Sequence, residues 1–106
     1  MQDNLPHDPK VIISALPEMR QHFEDAAKRS PCHAPILNSI AHDMRQAEEK
    51  LATANDDQKD GIATAARFNI VSAHQGLFYY PALDGDFKHA LDIAKRHEKK
   101  AQGPKA

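Results

Sequence analysis

Reactions tend to announce themselves through a few residue types at fixed spacing, and this chain of 106 residues has little of either. Cys32 is its one cysteine, which excludes an internal disulfide framework and fits a reducing compartment. Tryptophan is missing, and four phenylalanines and two tyrosines are all the aromatic residues a core or an interface can draw on. Neither sign of charge prevails. With 14 Lys and Arg against 15 Asp and Glu, the broad positive footprint of a nucleic-acid binder is lacking, and nucleic acid is not an expected partner. No apolar run suits a bilayer: the best one, residues 62–80, is interrupted by Arg67, Asn69, His74 and Gln75, so no membrane association is expected. The opening MQDNLPHDPK has no basic segment leading into an apolar one, and Val11-Ile12-Ile13 is too short to serve, which points to a cytoplasmic protein. Alternation with period two never persists, so strands are not expected. Repeats and low-complexity tracts are lacking too, apart from the polar end KKAQGPKA.

What is present reads as helices separated by proline and cap residues. Asp8-Pro9 suits an N-cap followed by proline at the first helical position. Pro17 lacks the amide an interior turn needs and is expected to restart or kink that helix, along which Leu16, Met19, Phe23 and Ala26 or Ala27 recur at helical spacing. Two prolines in Ser30-Pro31-Cys32-His33-Ala34-Pro35 make a connector. A second helix follows from Pro35 to Ala54, with a narrow apolar seam of Leu37, Ile40, Met44, Ala47 and Leu51. Asn55 with Gln58 three positions on forms a capping-box pattern, so a third helix starts there, runs to the neighbourhood of Tyr80-Pro81, and folds back on the second as an antiparallel hairpin. Asp84-Gly85-Asp86 is expected to cap a last helix. One face of that helix carries Phe87, Ala90, Leu91, Ala94 and Ala101, and the other carries Lys88, His89, Lys95, Arg96 and Lys99.

The fold expected is all-α: a small four-helix bundle made of a helical hairpin over 35–80 plus flanking helices, completed as a homodimer. The whole chain, 1–106, reads as a single helical domain with frayed ends at 1–7 and 101–106. Residues 62–80 carry one charge and four of the six aromatic residues, so this segment is expected to be the central helix that the others wrap. At 100° per residue, Ala63, Ala66, Ile70, Ala73, His74 and Leu77 share one face, while Phe68, Ser72, Gln75 and Tyr79 lie near the opposite one. Either the first or fourth helix covers Phe68 and Tyr79 within the monomer, or the two mark an oligomer or partner surface. The candidate interface comprises Phe68, Val71, Ser72, Gln75, Phe78 and Tyr79.

Seven histidines raise the question of a metal, but His-x-x-x-His, Glu-x-x-His and Cys-x-x-Cys are all lacking. The nearest groupings are Glu18 with His22, His22 with Asp25, and Asp86 with His89 and Asp92, which read as solvated charge. No metal and no cofactor is expected. His74 reads as a hydrogen-bonded core histidine. Cys32 beside His33 pairs a nucleophile with a base in sequence, but without an orienting third group the cysteine reads as a partly buried small apolar residue.

Asn38-Ser39-Ile40-Ala41-His42-Asp43-Met44-Arg45 resembles the phosphoacceptor box of sensor histidine kinases. There an exposed histidine on a helical hairpin is followed by an acidic residue that orients or deprotonates it. His42 also resembles the phosphoacceptor of histidine phosphotransfer domains, which are four-helix bundles. The resemblance implies His42 as the acceptor and Asp43 as its acidic neighbour. It is local: Gln46-Ala47-Glu48 replaces the small residue, proline and leucine of the kinase box, and Gln46 stands where the phosphotransfer domains carry glycine.

Residues 1–87 hold 8 basic and 13 acidic side chains, whereas 88–106 hold 6 and 2, so positive charge gathers at the C-terminus. Lys88, Lys95, Arg96 and Lys99 form the basic patch of an alternative reading, a small nucleic-acid-associated regulator. The leading expectation is a bacterial or phage-type, non-enzymatic regulatory or adaptor protein of the anti-activator, inhibitor or chaperone kind, with another protein as its partner.

Overall fold

The computed structural model describes residues 5–77 and 80–102. Among them are four α-helices, α1 (Pro9–Arg29), α2 (Ala34–Thr53), α3 (Asp56–Gly76) and α4 (Pro81–Ala101), with a single 3-10 turn, Pro31–His33, between α1 and α2. Among the described residues no strand occurs and no helix is long and apolar enough to cross a membrane.

Local chemistry explains most of the boundaries. The Asp8 carboxylate accepts the Lys10 amide, and Pro9 fills the first helical position, where its missing N–H leaves nothing unsatisfied. Pro17 stays inside α1, at an exposed position, and does not divide it. At the start of α3 the capping box is complete: Asn55 Oδ1 accepts the Gln58 amide at 2.9 Å, and Gln58 Oε1 accepts the Asn55 amide at 3.0 Å. The last helix departs from expectation. It begins at Pro81, so Asp84, Gly85 and Asp86 lie within its first two turns instead of capping it. Proline at a first helical position served as the start signal.

The centre of the molecule is α1, and the expectation that α3 would hold that place is corrected. α1 packs against α2, α3 and α4, and its contact with α2 is the most extensive. Of the eight largest fully buried side chains, Val11, Ile12, Leu16, Met19 and Phe23 come from α1 and none from α3. The reason is area. Residues 62–80 look apolar because charge is scarce, but Ala63 and Ala66 supply much of α3's buried face, and an alanine removes far less surface from water than a leucine or phenylalanine. The wide stripe on α1 carries the large residues. Leu37, Ile40, Ala41, Met44 and Ala47 of α2 and Leu83, Phe87, Ala90, Ile93 and Ala94 of α4 join the same continuous core. At 41 × 35 × 22 Å the molecule is two helices thick in its shortest dimension.

The segment before α1 packs on α3. Leu5 and Pro6 are buried, and Arg67 of α3 holds their carbonyls, with Nη2 to Leu5 at 2.9 Å and Nε to Pro6 at 3.0 Å. Residues 1–4 and 103–106 lie outside the described residues.

Candidate functional site

Between α2 and α3 runs an open groove of about 780 Å³. Much of its apolar lining is small, Ala47 from α2 and Gly61, Ala65 and Ala66 from α3 beside the larger Ile62, and a methyl group added at Gly61 would meet nothing within 4 Å. Two helices whose facing residues are this small leave a trough that the α2–α3 hairpin does not fill. His42, Asp43 and Lys50 of α2 and Gln58 and Asn69 of α3 supply the polar rim.

Phe68 lies on the outer flank of α3, three residues beyond Ala65 and one before Asn69. It is 66% exposed, so neither α1 nor α4 covers it. Ser72 and Gln75 are exposed with it, but Val71 is buried in the core and does not join that surface. Val71 neighbours Phe68 one turn along α3, on the side of it that is turned to the core. Phe78 and Tyr79 lie outside the described residues. Tyr80 is exposed, with its ring edge-on to His33 at 5.8 Å.

His42 and Asp43 both reach solvent at the groove wall. His42 Nε2 lies 3.3 Å from the side-chain amide nitrogen of Gln46, which donates to it when that nitrogen is unprotonated. Gln46 therefore sits over one of the two imidazole nitrogens. On α4, Lys88 pairs with Asp84 at 3.1 Å and Arg96 with Glu18 at 2.7 Å. Lys95 and Lys99 are exposed on the same helix. Half of the expected basic patch is thus matched to carboxylates. Cys32 is exposed, contrary to the partly buried position expected, because the 3-10 turn lies on the surface.

Tertiary packing also assembles groups that no sequence spacing links. His22 of α1 places Nε2 3.0 Å from Asp86 Oδ1 of α4, and its ring stacks on His89 with centroids 4.2 Å apart. Burial holds this imidazole below the ordinary histidine value; the Asp86 hydrogen bond opposes that, and the His89 charge adds to it. Glu18 accepts from His97 Nε2 at 3.0 Å and from Arg96, and these two bonds, the histidine's foremost, lower its pKa. His97 Nδ1 lies 2.7 Å from Ser14 Oγ, which completes a serine, histidine and carboxylate row across α1 and α4. The row lacks an oxyanion hole: Ser14 lies beyond the first turn of α1, where neighbouring amides are engaged in the helix. The row ties α4 to α1. His74 donates from Nε2 to Asp84 at 2.8 Å and lies against Phe87, a partly buried, hydrogen-bonded histidine.

Among the described residues no group of three His, Cys, Asp or Glu side chains is placed to hold a metal ion. No protein-family model, curated protein or solved structure matches this chain.

Proposed function

We propose that this protein is a small non-enzymatic regulator or adaptor that acts by binding another protein, using the α2–α3 groove and the Phe68 flank as its contact surface. The observation that carries this reading is Phe68, an aromatic ring 66% exposed beside an unfilled trough in a chain whose other phenylalanines in the described residues, Phe23 and Phe87, are buried. Leaving a phenylalanine in water forgoes roughly 1.5–3 kcal/mol of burial, and aromatic residues are the common anchors of protein interfaces. Self-association through α3, with Ser72 and Gln75 around Phe68, is the simplest form of the same proposal.

The test is affinity purification from the native host with the wild type and Phe68→Asp in parallel, combined with light scattering of both proteins. A partner or dimer lost in Phe68→Asp supports the surface. A wild type that stays monomeric at all concentrations and captures the same proteins as the variant overturns it.

A second reading rests on His42, exposed beside Asp43 on the groove wall: a histidine phosphotransfer protein whose acceptor is His42. Gln46, four residues on and 3.3 Å from the imidazole, weighs against it.

A further inference from the structure

One wall of the α2–α3 groove carries opposite charges at its two ends. Asp43 and Lys50 of α2 both line it, and both reach solvent. Among the described residues neither makes an ion pair, whereas Arg45 on the same helix is matched to Glu24 of α1. Seven residues separate Asp43 from Lys50, two helical turns or about 10 Å along the axis. The other wall repeats that spacing without charge. Phe68 projects from one end of α3's outer face, and seven residues before it lies Gly61, where a side-chain carbon would meet nothing within 4 Å.

The hairpin decides which ends go together. The chain reverses between Thr53 and Asp56, so Lys50 lies level with Gly61 near the turn. Asp43 lies two turns away beside Asn69, next in the chain to Phe68. Each end therefore offers what the other lacks: a cation with an open place at one, an anion with a projecting ring at the other. A surface of this kind is complementary to itself turned end for end. A two-fold axis lying across both helices, at the level of Ala47 and Ala65, sets α2 antiparallel on α2 and α3 on α3. Lys50 of each copy then meets Asp43 of the other, and each Phe68 meets the other copy's Gly61. An axis lying along the helices would instead set α2 on α3. That would bring Asp43 over Asn69 and Phe68, leaving both charges unpaired in the contact, and it is disfavoured.

We propose that the occupant of the α2–α3 groove is a second copy of this chain, docked antiparallel about the axis that crosses both helices, with two Asp43–Lys50 pairs framing the contact. The inference rests on the reading of the groove and Phe68 given above and names their partner. Two facing helices, each about 30 Å long, cover at most about 600 Å² on each copy, the lower end for a specific interface. Dilution should therefore separate the dimer, which makes its strength measurable.

Sedimentation equilibrium at low salt tests this on the wild type, Asp43→Lys, Lys50→Asp and an equimolar mixture of the two variants. The wild type is expected to dimerise. Each variant alone places like charges at both ends of the contact and should dimerise roughly tenfold or more weakly. In the mixture, one copy of each variant restores opposite charges at both ends, so heterodimers should form with about wild-type strength. Both positions are exposed, and recovery in the mixture also shows that both variants fold. A dimer indifferent to the charge changes overturns this docking, and so does a mixture no tighter than its components. A wild type that stays monomeric overturns it too, but leaves the adaptor reading standing if Phe68→Asp still loses a captured protein.

Discussion

The imidazole of His74 lies flat on the ring of Phe87, centroids 4.5 Å apart and planes within 2°, while its Nε2 reaches Asp84 on the same helix as that phenylalanine. One side chain of α3 thus touches α4 with both its apolar face and its polar edge, four residues after the buried Ile70. Replacing His74 by leucine keeps the face and removes the edge. The expected loss is about 1 kcal/mol, the net worth of one hydrogen bond, against roughly twice that for alanine, which loses the stacking as well. Urea denaturation of the two variants measures the difference.

Phe68→Asp is expected to change stability by no more than about 0.5 kcal/mol, because a side chain 66% exposed has little native packing to lose. Its effect should fall on association. Denaturation and light scattering on the same samples separate the two quantities.

Phe23 is fully buried at the meeting of α1 and α4, against Phe87. Phe23→Ala should cost about 3–5 kcal/mol through lost burial and the cavity left behind. For a domain of this length that is much of the total stability, so the variant is expected to melt well below the wild type or to be unfolded at 37 °C. Calorimetry reads the outcome.

Gly61 and Gly85 both sit in helices where an added methyl group meets nothing within 4 Å. Each glycine-to-alanine change should stabilise by roughly 0.5–1 kcal/mol, from better helix propensity and a less free unfolded chain. The pair also distinguishes structure from function. Gly61 lines the groove and Gly85 does not, so Gly61→Ala alone should weaken whatever binds there, by a measured rise in Kd.

Glu18, Glu24 and Asp84 are all held below their ordinary values, by hydrogen bonds from His97, Arg45 and His74 respectively before any other cause. A carboxylate with a depressed folded pKa binds its proton less readily than in the unfolded chain. The stability it contributes is therefore present above the ordinary carboxylate range and lost as pH falls through the depressed value. Melting temperature should fall below about pH 4.5, the ordinary glutamate range, with a modest slope because Glu18 and Asp84 are solvent-screened. Glu24→Gln should flatten that slope and lower the plateau at neutral pH.

Incubation with acetyl phosphate is expected to give no acid-labile, base-stable adduct at His42, since Gln46 occupies the position that phosphotransfer domains leave to glycine. A labelled His42 that disappears in His42→Gln would replace the adaptor reading with phosphotransfer.

By itself the sequence determined that this chain is helical and where most of its helices begin, because those are local matters. Asp8-Pro9 and the Asn55/Gln58 box satisfy backbone groups within four residues of themselves, and the three-and-four spacing of Leu37, Ile40, Met44 and Ala47 needs no knowledge of the partner helix. Local chemistry also separated Phe68 from Ala63, Ala66 and Ile70 around α3. Which helix sits at the centre was decided only by tertiary structure. Scarcity of charge in residues 62–80 and a wide stripe of large side chains on α1 both look hydrophobic in one dimension, and only packing reveals which removes more area from water. The histidine joints lay further still from view. His22 and Asp86 are 64 residues apart, and His97 and Glu18 are 79 apart. Nothing in either residue's neighbourhood specifies the other, because a hydrogen bond across two helices is set by how their axes cross and by the register of their packed faces.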